Sequence, residues 1–169
     1  MLNTRIFSLV FLLIVSATAA ALPPRYSITK LVGRNSFDDP NDIKKIEQYA
    51  HGWAEALMTT VGLNLFEAQR HLIEPLEIDV AISPYARQLY GKALKEGFEP
   101  ILHEDNTNEM AAVNALQVVS LLGTEQGCRL LLNHADFSTE RRTALRLWGS
   151  VGLGKSFKTG VLPARRVSS

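Results

Sequence analysis

A single cysteine and a net charge of only +1 in 169 residues exclude two kinds of protein before any motif is sought. Cys128 has no second thiol to pair with, so no intrachain disulfide holds the fold and stability must come from packing. It lies in the apolar run Gly127-Cys128-Arg129-Leu130-Leu131-Leu132, where it reads as a small buried hydrophobe rather than a nucleophile. Were it exposed, an interchain disulfide would be open to it. Lysine and arginine total 18 against 17 acids. That balance gives no electrostatic case for a nucleic-acid or membrane partner, and the basic residues lack the aromatic interleaving on which bases stack.

The N-terminus carries its own address. Arg5 precedes the apolar stretch Ile6 to Val15, and Ala17-Thr18-Ala19 and Ala19-Ala20-Ala21 offer small-x-small cleavage sites. Residues 1–21 are therefore expected to be a signal peptide for export to a periplasmic or extracellular space. The alternative is an uncleaved membrane anchor, since Ile6 to Leu22 approaches the ~17-residue lower limit for a spanning helix. Removal leaves about 150 residues, enough for one domain with a real core.

Residues 22–37 mix prolines, Arg34, Asn35 and Ser36 without periodicity and are expected to be a linker or loosely docked arm. Helical patterning begins at Asp39-Pro40, a cap followed by proline at the first helical position, with Ile43, Ile46, Ala50, Trp53, Leu57 and Val61 on one side. Gly62 breaks this pattern. Leu65, Ala68, Leu72 and Ile73 predict a second helix stopping near Glu74, before Pro75. Ser83-Pro84 starts a third, expected to end or bend at Gly97 and Pro100. Residues 110–122 predict a helix apolar on most sides, with a thin polar strip of Asn114, Gln117 and Ser120, stopped by Gly123. Thr124 is positioned to cap the next helix through Leu132, and Ser138 a last one reaching Val151, with Gly152 and Gly154 marking its end.

Segments 105–123 and 136–154 superimpose at a register of 31 positions (136 − 105), pairing Asp105 with Asp136, Glu109 with Glu140, Leu116 with Leu147 and Gly123 with Gly154. One predicted helix lies between them, so the repeating unit is a helix pair. Over residues 84–154 the chain resembles the HEAT/armadillo class of α-helical repeats, on Ile101-Leu102-His103-Glu104-Asp105, then Val113-Asn114-Ala115-Leu116, then Leu121-Leu122-Gly123. Many such repeats carry an arginine where the first unit has Met110-Ala111, and the second has Arg141-Arg142. The resemblance implies an all-α fold, a short superhelical stack with an N-terminal helical pair, over residues 38–154. A basic, unstructured tail is expected over 155–169.

Two motifs suggest chemistry and fail on context. Gly149-Ser150-Val151-Gly152-Leu153-Gly154-Lys155-Ser156 fits the phosphate-loop template letter for letter, but that loop needs a strand before it and a helix after it. The preceding run is helical, so no nucleotide site is expected. Glu47, His51 and Glu55 at helical spacing, with Glu67, His71 and Glu74 on the next helix, could ligate a metal in a bundle if they pointed at one another. They drift onto the face away from Ile43, Ala50 and Leu57, where a solvated, salt-bridged surface is the simpler expectation. His103 and His134 have no local ligand pattern. No catalytic, cofactor or metal residue is assigned.

Charge is distributed unevenly. Acids dominate between Asp38 and Asp79, whereas after Cys128 Arg129, Arg141, Arg142, Arg146, Lys155, Lys158, Arg165 and Arg166 meet only Asp136 and Glu140. A basic end of this kind suits an anionic surface, or is a solvated face. The expected function is a non-enzymatic, exported helical-repeat scaffold or protein-binding module. The alternatives are a metal- or ligand-binding bundle using His51 and His71 with the neighbouring glutamates, and a fragment of a longer repeat protein without activity of its own. The outer side of the last helix is expected to dock the N-terminal segment or another chain, which leaves an oligomer open.

Overall fold

A computed structural model of the chain describes residues 23–60, 62–77 and 82–158. The expected signal peptide, Val61 at the end of the first apolar stripe, and the basic tail beyond Lys158 lie outside the described residues. Helices α1 (Thr29–Val32), α2 (Pro40–Thr59), α3 (Leu63–Ile73), α4 (Pro84–Leu102), α5 (Glu109–Leu122), α6 (Glu125–Ala135) and α7 (Thr143–Lys158) follow in order, with a 3-10 turn at Glu74–Leu76 after α3. No strand occurs among the described residues, and the fold is all-α.

The helix starts follow side chains that satisfy orphan N–H groups. The Asp39 carboxylate accepts from Asn41 N–H, Ser83 Oγ from Ala86 N–H, Asn108 Oδ1 from Ala111 N–H and Thr124 Oγ1 from Gly127 N–H. Gly123 ends α5 in the left-handed region at φ 59°, which a side chain would resist.

Helix α2 packs against α3, α4 and α5, and α5 in turn packs against α4, α6 and α7. The core runs through this sequence of neighbours, from Ile46, Leu57 and Leu72 through Leu94 and Phe98 to Leu116 and Leu131. The polar strip of α5 is itself covered. Asn114 Nδ2 donates to the Met110 carbonyl, and Gln117 Oε1 accepts from Gln69 Nε2 of α3 at 2.6 Å.

Four expectations are corrected. The segment read as a linker contains α1, and Ile28 and Val32 are buried in the core. Helix α4 runs through Gly97 and Pro100 to Leu102, and its last carbonyls find donors elsewhere. Asn106 Nδ2 reaches the Ile101 carbonyl at 2.8 Å, and the Arg142 guanidinium reaches those of Leu102 at 2.9 Å and His103 at 3.1 Å. Ser138 does not start α7. It sits in a turn closed by the Asp136 carboxylate, and the helix begins at Thr143. Finally, α7 continues past Gly152 and Gly154 to Lys158, so the first residues assigned to the tail are helical.

Candidate functional site

The phosphate-loop template, Gly149 to Ser156, lies wholly within α7. Its small residues instead permit close packing. A Cβ on Gly149 would lie 2.8 Å from both the Ala135 nitrogen and the Leu131 carbonyl oxygen of α6, and one on Gly152 would lie 2.7 Å from the Leu131 side chain. Ser156 donates to the Ser120 carbonyl of α5 at 2.9 Å.

The two imidazoles considered as metal ligands engage different neighbours. His51 is exposed and faces Glu96 of α4 at 3.6 Å. His71 stacks on the Trp53 indole at 4.0 Å between centroids and faces Glu74 at 3.5 Å. Among the described residues no cluster of His, Cys, Asp and Glu is arranged to hold a metal ion.

A buried polar cluster escaped the sequence reading. Glu140, 5 % exposed, accepts bidentately from the Arg142 guanidinium at 2.9 and 2.8 Å, from Arg142 N–H at 2.9 Å, and pairs with His134 Nδ1 at 2.7 Å. Burial by itself would raise the Glu140 pKa, but these hydrogen bonds and the Arg142 charge outweigh it and hold the carboxyl at about 2. With Arg142 bound to the α4 carbonyls, the cluster staples the α6–α7 connection to the end of α4, and so its role is structural. The signal for it, an acid and a histidine six residues apart across a turn, has no helical period to betray it.

Two surfaces are left for binding. The first is the outer face of α7, where Leu147, Val151, Gly154 and Lys158 fall on one stripe at 100° per residue and Phe157 flanks it, all exposed. Positions 31 residues apart differ in burial: Leu116 of α5 is 0 % exposed and Leu147 of α7 is 61 %, while Ser120 is 1 % and Val151 is 42 %. Phe137, also exposed, lies beside the start of this helix with the Arg146 guanidinium 4.9 Å over its ring. Among the described residues, part of the basic end is engaged within the fold. Arg142 and Arg146 donate to the chain's own carbonyls, which leaves Arg141, Lys155 and Lys158 exposed without ion pairs among the described residues.

The second is a cleft of about 490 Å³ between the arm at residues 23–27 and helices α2 and α3. Pro24 lies directly against Gly52, where a Cβ would come within 2.5 Å of the proline ring. Tyr26, Tyr49, Trp53 and His71 form a chain of rings at successive centroid distances of 6.2, 6.4 and 4.0 Å. Their orientation is fixed. Tyr26 donates to the Lys45 carbonyl, and Tyr49 donates at 2.9 Å to the His71 carbonyl, whose ordinary helical donor would be the nitrogen of Pro75. Burial first, then the Glu74 charge, pushes the Tyr49 hydroxyl above its usual range, so it stays a neutral donor. Trp53 is 9 % exposed, and its indole N–H is buried with no acceptor among the described residues, which costs about 1–3 kcal/mol. Sequence reasoning placed Trp53 in the core but missed Tyr26 and Tyr49, although Tyr49 and Trp53 stand four residues apart on α2.

A further cleft, of about 470 Å³ between α4 and α6, is lined by Lys92 and Lys95 alongside Glu96 and Glu99, charges that compensate one another. Cys128 is half-buried on α6. No family model matches the chain, and no curated protein or solved structure matches it significantly.

Proposed function

We propose that the protein is a non-enzymatic, exported helical-repeat scaffold that binds a protein partner through the outer face of α7. The observation that carries this reading is the contrast between equivalent positions: Leu116 is covered by neighbouring helices, and Leu147 is presented to solvent. A stacked helix pair buries its face on the next unit, and a terminal unit is ordinarily polar. The exposed face of α7 carries Leu147, Val151 and Phe157 instead. Lys155 and Lys158 at the same end favour a partner helix whose apolar strip is bordered by acids. The packing of α5 on α4, α6 and α7 supports the scaffold, while the helix ends depart from the 31-residue register, Gly123 ending α5 and Gly154 lying inside α7; the apolar N-terminal segment with its small-residue sites supports export.

Photo-cross-linking in the exported protein tests the proposal. A photoreactive residue at position 147 or 151 is expected to trap one and the same protein, and one at exposed Lys44 on α2 to trap none. Equal trapping from position 44, or products containing only a second copy of this chain, would overturn it.

A further inference from the structure

We propose that a helix of the partner crosses α7 at Gly154, its apolar strip seated between Leu147 and Val151 on one side and Phe157 on the other and its acidic border against Lys155 and Lys158. The inference rests on the reading of α7 as the partner-binding face. It adds the point of contact, the kind of element that makes it and the charge that element carries.

Gly154 fixes the point. Gly149, Gly152 and Gly154 all lie inside α7, where glycine holds a helix less well than alanine does. The first two are used within the chain: a Cβ on Gly149 would come 2.8 Å from the α6 backbone, and one on Gly152 2.7 Å from the Leu131 side chain. A Cβ on Gly154 would meet nothing within 4 Å, and Gly154 is not among the glycines with positive φ. No contact inside the chain therefore calls for glycine there. At 100° per residue, Gly154 falls about 20° from Leu147 on the helix surface, with Ser150 and Val151 in the turn before it and Phe157 and Lys158 in the turn after, all exposed. It is the centre of the uncovered arc and, having no side chain, the low point of it.

Shape selects the element. A dip in a helix surface, bounded by larger residues one turn before and one turn after, receives the ridge of a second helix, and the axes approach more closely where the residue at the crossing is small. From Leu147 to Lys158 the arc runs about 16 Å, a length that one crossing helix covers.

Charge selects the partner. Lys155 and Lys158 stand at the crossing, exposed and without an ion pair among the described residues. A second copy of this chain crossing at Gly154 about a two-fold axis would bring the same lysines together from both sides and set like charges against one another. A helix of another protein with acids beside its apolar strip pairs with them instead.

Photo-cross-linking from position 147 of the exported, full-length protein, compared between the parent, Gly154→Ala and Lys155→Glu, tests the proposal. Mass-spectrometric sequencing of the trapped peptide is expected to return a segment of another protein with apolar residues at helical spacing and acids beside them. Gly154→Ala should lower the yield of adduct by at least about fivefold. The same variant should raise the melting temperature of the purified protein, a combination that loss of folding cannot produce. Lys155→Glu, at an exposed position, should lower the yield by about two- to fivefold. The crossing is overturned, and the α7 face kept, if Gly154→Ala traps as much as the parent or lowers the melting temperature, if Lys155→Glu leaves the yield unchanged, or if the trapped segment is basic or lacks a helical apolar period. No adduct from the parent, or adducts of this chain alone, would overturn both.

Discussion

Glu140 shows how a single residue ties local chemistry to global stability. Its carboxyl is held at about 2 in the folded chain, against an ordinary value of 4.5. A depressed carboxylate contributes stability that is fully present above its unfolded pKa and is lost as pH falls through the interval down to its folded one. The contribution, on the order of 3 kcal/mol, should therefore disappear between about pH 4.5 and about pH 2. Glu140→Gln is expected to cost a similar amount at pH 7, because Arg142 loses its buried counter-charge, and to remove this part of the acid limb in urea unfolding followed against pH. Asp136 is also depressed, by the Ser138 backbone and hydroxyl, and titrates on the same limb, so the difference between wild type and variant isolates Glu140. None of this was legible in the sequence, where Glu140 appears as the partner of Glu109 in a repeat register and His134 as a residue near a turn. The Glu140–His134 hydrogen bond forms across a reversal of the chain, and residue spacing alone carries no information about where such a reversal points its side chains.

At the scale of elements, the sequence was informative about beginnings and poorer about ends. Asp39-Pro40, Ser83-Pro84 and Thr124 mark helix starts because a cap satisfies N–H groups within three residues of itself, a purely local matter. Ends depend on who supplies donors to the last carbonyls. Arg87 of α4 reaches those of Leu121 and Leu122 at the end of α5, and Arg142 those at the end of α4, from 34 to 40 residues away in sequence. Helix α4 meanwhile runs two residues past Pro100 to Leu102, where Asn106 and Arg142 meet its last carbonyls. In α7 the phosphate-loop letters make a test of element against motif. Gly154→Ala places its methyl in open space within a helix and should stabilise the protein by about 0.5–1 kcal/mol. Gly149→Ala drives a methyl into the α6 backbone, which cannot yield, and should destabilise by about 1–3 kcal/mol. Thermal melts of the two variants check this, and equal losses from both would contradict the packing described for α7.

Over the whole molecule, the arm that precedes α2 belongs to the domain rather than leading to it. Ile28 and Val32 are buried, Ser83 N–H donates to the Val32 carbonyl at 2.9 Å, and Arg34 pairs with buried Asp42 at 2.7 Å, so residues 28–34 are clasped between α2 and the start of α4. Ile28→Ala is accordingly expected to cost about 2–4 kcal/mol in a single cooperative denaturant transition. A cost below about 0.5 kcal/mol, the range of surface substitutions, would mean that the segment is the linker its composition suggests. The same clasp builds the aromatic cleft, because Pro24 and Tyr26 reach Gly52 and Tyr49 only when the arm lies back across α2. The sequence by itself determined the all-α class, the approximate positions of α2, α3, α5 and α6 and the caps that start α2, α4 and α6, since periodic burial and capping are written within a few residues of where they act. Only the tertiary structure decided that the arm folds back, that Arg142 and Glu140 fasten the end of α4, and that Leu147 faces solvent where Leu116 does not. Each depends on which distant surfaces meet, and residues of identical type at equivalent register take opposite burial according to whether another helix lies over them.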